Sequence, residues 1–137
     1  MRSVLTTAVI PVRFLKTYKF FKTDRFSKWG WLVRTPSGRE IHAALVKAVA
    51  EKLRAEGYEV LIYPSLGEGC RVDVLAIKGG ERIGVECMVR PSWEAIRGRL
   101  DACRGQLSRL LLAVPSDVDV SERGRVEGVE VLRVELP

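Results

Sequence analysis

The stretch that decides the fold is RVDVLAIKGGERIGVECM, which spans residues 71–88. Two runs rich in β-branched and apolar residues flank a Lys-Gly-Gly-Glu turn, and so short a glycine turn predicts an antiparallel hairpin. Each run carries one acid among apolar neighbours, Asp73 in the first and Glu86 in the second. Burying two like charges on neighbouring strands costs several kcal/mol unless a cation balances them. The hairpin therefore singles out Asp73 and Glu86 as candidate functional residues.

The segments on either side of this hairpin complete an α/β pattern. Ser37 followed by Glu40 has the form of a helix capping box, and apolar residues at helical spacing then continue to Gly57, which is placed to end the helix. The remaining predicted elements are a strand at 58–63, a helix at 91–105, and strands at 110–114 and 129–134. The order α-β-β-β-α-β-β predicts a mixed central sheet with a helix on each side.

Composition bounds the class of protein. The 137 residues suffice for one domain, and no apolar run approaches the roughly 20 residues of a membrane-spanning helix. The three cysteines, Cys70, Cys87 and Cys103, are widely spaced, so we expect neither a disulfide framework nor a zinc site, and a reducing, cytoplasmic location. The lack of Asn is typical of thermophile proteins. Phosphate-loop, dinucleotide-binding and serine-hydrolase motifs are absent from the sequence, which sets those classes aside.

The positive charge is concentrated near the N-terminus. Residues 1–42 hold nine Lys and Arg residues against two acids, so this third carries +7 and the remainder carries −1, for a net charge of +6. We divide the chain into a basic, aromatic N-terminal arm at 1–36 and a single α/β domain at 37–137. Interleaved aromatic and cationic side chains stack on bases and neutralise phosphates. The candidate nucleic-acid-binding residues are Lys16, Lys19, Lys22, Arg25, Lys28, Trp29, Trp31 and Arg34. The alternative is that the aromatic side chains pack on this domain or on a second copy of the chain.

The hairpin with its flanking helices resembles the PD-(D/E)XK nuclease superfamily, with its restriction-endonuclease-like and archaeal Holliday-junction-resolvase-like core. The resemblance covers residues 38–115 and rests on Arg71-Val72-Asp73-Val74-Leu75-Ala76 and Ile83-Gly84-Val85-Glu86-Cys87-Met88. It implies that Asp73, Glu86 and the backbone carbonyl of Cys87 bind Mg²⁺ or Mn²⁺, hard cations that take oxygen ligands. It also implies a role for Glu40, the acid of the first helix. The metal would activate water and stabilise charge on the phosphate.

The sequence departs from the family pattern at Met88, where the family has a lysine. Strand alternation predicts that Arg90 projects from the same face as Glu86, and Lys78 lies in the hairpin turn, so either cation is a candidate substitute. Arginine stabilises negative charge, but its very high pKa prevents it from acting as a base. The catalytic candidates are therefore Asp73, Glu86, Glu40 and Arg90.

Several of these residues have alternative interpretations. In these, Glu40 serves only as the capping-box partner of Ser37, and Asp73 is partly exposed or paired with Arg71. His42, the only histidine, is interpreted as structural, and the Cys87 thiol as inert in acidic and apolar surroundings. The arginines of the second predicted helix, Arg97, Arg99 and Arg104, are interpreted as a solvated face.

The function that these features predict is a metal-dependent, nuclease-like domain that acts on or binds nucleic acid, with DNA as the expected partner. The alternative is a catalytically inactive nuclease-fold protein that binds nucleic acid or serves as an assembly subunit. In either case we expect a homodimer or a subunit of a complex.

Overall fold

The computed structural model describes residues 7–9, 20–21, 32–33 and 36–136, and its side chains are described for 36–136. Its elements in chain order are β1 (Thr7–Val9), β2 (Phe20–Phe21), β3 (Leu32–Val33), α1 (Gly38–Ala55), β4 (Glu59–Ile62), β5 (Val74–Lys78), β6 (Glu81–Cys87), α2 (Trp93–Ala102), β7 (Arg109–Pro115) and β8 (Glu130–Glu135). From α1 to β8 the order is α-β-β-β-α-β-β, which confirms the sequence prediction.

One mixed sheet of six strands forms the centre of the domain, in the order β1-β8-β7-β6-β5-β4. Strands β4, β5 and β6 are antiparallel neighbours, whereas β6, β7, β8 and β1 run parallel. Parallel neighbours need a crossover connection, and α2 supplies it between β6 and β7. The predicted mixed sheet flanked by helices is thereby confirmed.

The described residues before Pro36 belong to the strands β1, β2 and β3. β1 pairs with β8 at the edge of the main sheet, and β2 pairs with β3 in a separate two-stranded sheet. The predicted nucleic-acid-binding residues Lys16, Lys19, Lys22, Arg25, Lys28, Trp29, Trp31 and Arg34 lie outside the described residues. Their role and the domain boundary at residue 36 therefore stay predictions.

Helix α1 begins and ends at the residues that the sequence indicated. The Ser37 hydroxyl accepts a hydrogen bond from the Glu40 amide at 3.2 Å, and Glu40 Oε1 accepts one from the Ser37 amide at 2.9 Å. Gly57 has a φ of +93°, the left-handed conformation that glycine adopts at little cost after a helix. The capping box predicted from Ser37 and Glu40 is confirmed.

The sheet has an apolar core on each face. On the α1 side, Leu45, Val49 and Leu53 pack in one cluster with Val85 and Leu111. The cluster on the α2 side contains Trp93, Ile96, Leu75, Leu110 and Leu112. Because side chains alternate along a strand, Glu86 points to the α2 side, between the α1-facing Val85 and Cys87. This placement brings Glu86 under helix α2.

Gly84 marks a close approach within the α2-side core. A Cβ atom at this position would lie 2.7 Å from Leu107 Cδ1 and 3.0 Å from Val72 Cγ1. We expect Gly84→Ala to lower the free energy of unfolding by about 1–2 kcal/mol, because the added methyl overpacks the core. Gly98→Ala is the matched control: a Cβ there would have no atom within 4 Å, and alanine favours the helix by about 1 kcal/mol. Urea unfolding measures both changes, and equal effects would contradict the overpacking argument.

A disulfide bond joins Cys70 to Cys103 across 33 residues, whereas the sequence predicted no disulfide. Cys70 lies in the loop before β5 and Cys103 caps the end of α2, and both side chains are buried in the α2-side core. The two residues become neighbours only when the loop and helix pack on the same face of the sheet, so their sequence spacing carries no signal. The predicted reducing compartment was based on the expected lack of disulfides, so this bond removes the basis for it. The location of the protein stays a prediction.

Neither α1 nor α2, the helices of the described part of the chain, has the length and apolar character needed to cross a membrane.

Candidate active site

The register of the β5–β6 hairpin brings the two predicted acids together. Val74 pairs with Val85, so Asp73 and Glu86 lie opposite each other one residue further along. The Asp73 amide donates to the Val85 carbonyl at 3.2 Å and to Glu86 Oε1, also at 3.2 Å. The predicted hairpin and the proximity of the two acids are therefore features of the structure.

Asp73 lies between the hairpin and helix α1. Its Oδ2 atom accepts a hydrogen bond from the Cys87 amide at 2.8 Å, and His42 Nε2 of α1 lies 3.3 Å from the same oxygen. The side chain of Asp73 keeps 19% of its surface exposed, and that of His42 keeps 33%. His42, interpreted from the sequence as structural, is therefore a direct neighbour of the first candidate acid.

Glu86 is the one charged residue that is buried among residues 36–136, with 8% of its surface exposed. Burial raises the pKa of the Glu86 carboxyl above its usual range, and the charge of Asp73 acts in the same direction. Arg99 of α2 opposes this shift, because its Nε donates to Glu86 Oε2 at 3.0 Å. The buried acid thus has a cationic partner that belongs to the protein.

Arg99, and not Arg90 or Lys78, is the cation that contacts Glu86. The prediction for Arg90 assumed that β6 continues to this residue, with side chains alternating between the two faces. Strand β6 ends at Cys87, three residues before Arg90, so the alternation does not apply to it. Lys78 donates to the Glu56 carbonyl at 2.9 Å, at the other end of the hairpin. The interpretation of Arg99 as part of a solvated face is wrong.

The helical spacing of the apolar residues in α2 could have identified Arg99 as a site residue. Arg99 lies three residues after Ile96 and four before Cys103, both of which face the core, so the helical period places it on the same stripe. A charged residue on the inner stripe of a helix needs a partner, and Glu86 is that partner. Met88, for which the resemblance implied a lysine, is half-buried against the α2-side core.

The other predicted site residues are placed as follows. Glu40 is three residues into α1, where its carboxylate completes the capping box; its catalytic role stays a prediction. The Cys87 thiol is buried in the α1-side core, and burial together with the charges of Asp73 and Glu86 raises the pKa of this thiol well above its usual range. An uncharged, buried thiol is a poor nucleophile, as the sequence indicated. The role of the Cys87 carbonyl as a metal ligand stays a prediction.

The two acids open onto a cavity of about 600 Å³ at the ends of β5 and β6. Its wall consists of Tyr63, Pro64, Ser65, Gly67, Gly69, Cys70, Arg71, Val72, Asp73, Glu86 and Arg99. Partial desolvation and the charge of Asp73 raise the pKa of the Tyr63 phenol, and this side chain is neutral at physiological pH. The cavity therefore combines two acids with two arginines and one neutral aromatic ring.

The donor chemistry of the cavity suits a hard cation, although its carboxylates already have partners. Asp73 Oδ2, Glu86 Oε1 and Glu86 Oε2 each accept a hydrogen bond. Within residues 36–136, no group of three or more His, Cys, Asp or Glu side chains is arranged to hold a metal ion. A divalent cation bound by both acids would compete with Arg99 for Glu86. By ligand type alone the two carboxylates are suited to Mg²⁺ or Mn²⁺, and a cation at Glu86 would have to displace Arg99.

Comparison with known proteins identifies the fold. No protein-family model and no curated protein matches the chain. A solved protein of unknown function, AF1548, has a TM-score of 0.51 at 19% identity, over 63% of this chain and 54% of its own. A repair endonuclease from Pyrococcus abyssi has a TM-score of 0.52 at 18% identity, over 78% of this chain and 51% of its own. At these identities the likeness concerns the fold, and this chain spans about half the length of either protein.

The mixed sheet, the hairpin register and the crossover helix together define a restriction-endonuclease-like α/β fold. The protein therefore has a nuclease-like fold.

Proposed function

We propose that this domain is a metal-dependent nuclease that hydrolyses phosphodiester bonds, with Asp73 and Glu86 as ligands of Mg²⁺ or Mn²⁺. The observation that carries the proposal is that the two acids line one cavity, where Glu86 Oε1 accepts a hydrogen bond from the Asp73 backbone amide. The likeness of fold to a repair endonuclease supports nucleic acid as the substrate. The bound metal would supply an activated water and a Lewis acid for the phosphate.

The chain's own residues have distinct parts in this proposal. Asp73 is held by the Cys87 amide and by His42, so its carboxylate is oriented before any ligand arrives. With a cation held at Glu86, the Arg99 guanidinium would be available for a phosphate oxygen, which its planar fork of donors suits. Arg99 would then provide the positive charge that Met88 cannot.

Calorimetric titration of Mn²⁺ and Mg²⁺ into the purified protein tests the metal site. We expect binding by the wild type and at least a roughly tenfold loss of affinity in Asp73→Asn, because a neutral amide is a weaker ligand for a hard cation. Asp101→Asn is the matched control, since Asp101 is exposed on α2, away from the two acids in the contacts of residues 36–136, and pairs with the nearby Arg104. Equal affinities of the two variants would place the metal elsewhere.

A second candidate function is a nuclease-fold protein that binds nucleic acid without cutting it. Two observations favour it: Met88 packs against the core, and Arg99 already neutralises Glu86. Absence of metal binding in the titration, together with nucleic-acid affinity that falls steeply with salt, would select this candidate over the first.

A further inference from the structure

Tyr63 has an unusual backbone conformation at the rim of the cavity. It directly follows the edge strand β4, has a φ of +51°, and keeps 57% of its surface exposed. A bulky residue in the left-handed region is uncommon, and such strain often occurs at functional sites. The Tyr63 amide donates to the Asp73 carbonyl at 2.8 Å, so the strained residue is tied to the first candidate acid.

The Tyr63 ring stacks with the ring of His42, and part of its surface remains accessible to a ligand. It is stacked with the His42 ring at a centroid distance of 6.4 Å and an interplanar angle of 17°. His42 in turn contacts Asp73. Because more than half of Tyr63 is exposed, the ring offers its remaining surface to solvent beside the two acids. An aromatic side chain fixed in this way is a preformed stacking platform.

The cavity next to this ring has the size for a nucleotide and an arginine that can bind its phosphate. Its volume of about 600 Å³ lies in the range of small-ligand sites. Arg71 lines it and is exposed, and its guanidinium makes no hydrogen bond or ion pair with any other residue of 36–136. A guanidinium without an acidic partner is suited to bind a phosphate.

We propose that this cavity accepts one unpaired nucleotide of a single-stranded segment, with its base stacked on Tyr63 and its phosphate held by Arg71. Within a duplex, both faces of each base are covered by neighbouring bases, so only an unpaired or extruded base can reach the ring. The inference rests on the proposed function for nucleic acid as the ligand, and adds a preference for unpaired over duplex substrate. Tyr63 is then a specificity-determining residue.

The test compares variants of Tyr63 in binding to a fluorescein-labelled single-stranded DNA of about 12 nucleotides, within the usual site sizes. Anisotropy is measured without divalent metal, beside the same strand in a duplex. Tyr63→Phe keeps the ring and is expected to bind like the wild type. Tyr63→Gly removes the ring and is expected to bind the single strand about 5–150 times more weakly, the range for one stacked base. Its affinity for the duplex is expected to be unchanged.

The controls separate stacking from folding. Glycine removes the strain of the positive φ at position 63, and asparagine adopts a positive φ more readily than most residues. Tyr63→Asn is therefore a second variant that lacks the ring and can keep the backbone conformation. Tyr58→Ala is the matched aromatic control, because Tyr58 precedes β4 at the end remote from Tyr63 and contacts Lys78. We expect it to leave single-strand affinity unchanged. Thermal melting verifies that each variant is folded.

The outcomes distinguish this inference from the proposed function. Wild-type affinity of both ring-less variants for the single strand, or an equal loss on the duplex, would overturn the stacking site. Metal-dependent cleavage of the same strands is measured separately, with Asp73→Asn as the inactive variant. Cleavage by the wild type, with no effect of the Tyr63 variants on binding, would support the nuclease proposal and contradict the stacking site. Single-strand binding that depends on Tyr63, without cleavage, would support the stacking site and contradict the nuclease proposal.

Discussion

Asp73→Asn is expected to reduce metal-dependent cleavage of nucleic acid by about a thousandfold or more, while the protein stays folded. The substitution preserves shape and leaves an oxygen that can accept the hydrogen bond of the Cys87 amide, but it removes the negative charge that a hard cation requires. A loss of about 4 kcal/mol of charge stabilisation in the transition state corresponds to this factor.

The measurement is the rate of cleavage of labelled single-stranded, duplex and branched DNA and of RNA, with Mg²⁺ or Mn²⁺ and after chelation. Chelation of the metal is expected to abolish cleavage by the wild type. Asp101→Asn, the exposed control on α2, is expected to cut at the wild-type rate. Cleavage by Asp73→Asn at the wild-type rate would show that the activity does not depend on this carboxylate and would rule out the proposed site.

Arg99→Met is expected to destabilise the protein by about 2–4 kcal/mol at neutral pH in the absence of metal. The reason is that Glu86 then remains as a buried charge without its partner, and breaking such a pair is far more costly than replacing both members. The side chain of Arg99 is 31% exposed, so water compensates part of the loss, and the expected value lies towards the lower end for a buried pair.

This destabilisation should depend on pH in a direction that the pKa of Glu86 determines. Its folded-state pKa is raised above the ordinary value of 4.5, and loss of the Arg99 contacts raises it further. A carboxyl with a raised folded-state pKa favours folding at low pH, where it is protonated, and this contribution is lost as pH rises from about 4.5 through the folded-state pKa. The loss of unfolding free energy in Arg99→Met relative to the wild type should therefore be small near pH 4.5. It should grow as the pH rises.

Urea unfolding in the presence of a chelator, at several pH values between about 4.5 and 8, measures this deficit. The double variant Arg99→Met with Glu86→Gln is the control, because an amide at position 86 removes the unpaired charge and should recover most of the lost stability. A deficit that is the same at every pH, or that the double variant does not reduce, would show that Arg99 acts through packing and not through its charge.

The Arg99–Glu86 ion pair is expected to differ between the metal-free and the proposed metal-bound protein. In the metal-free protein this pair stabilises the fold, and in the proposed metal-bound protein Glu86 would exchange its arginine for the cation. Arg99→Met is therefore expected to lower the stability of the metal-free protein, whereas Asp73→Asn, which removes a proposed metal ligand, is expected to lower the rate of cleavage.

Local sequence signals were sufficient wherever neighbours along the chain decide the structure. The Lys78–Glu81 turn forces β5 and β6 into an antiparallel hairpin, and the capping box of Ser37 and Glu40 begins α1 where it was predicted. Each of these signals involves about two to four consecutive residues, so it can be recognised from the sequence without knowledge of the tertiary structure. The order of elements followed from them, and with it the mixed sheet.

The partners of the candidate site residues were decided by tertiary packing. Asp73 and Glu86 were predicted to be close, but His42 and Arg99 come from two helices on opposite sides of the sheet, 31 and 13 residues away from the acids they contact. The strand alternation that placed Arg90 beside Glu86 does not hold, because β6 ends at Cys87, and where a strand ends depends on its neighbours in the sheet. A catalytic role of Arg90 stays a prediction.

The sequence by itself determined the α/β order, the hairpin and the two acids, because each depends on local turn chemistry and hydrophobic period. Only the tertiary structure decided that Arg99 neutralises Glu86, that His42 contacts Asp73 and that Cys70 bonds to Cys103. These pairings require α1, α2 and the loop before β5 to pack against one sheet. That packing is a property of the whole core, and no short segment of the chain encodes it.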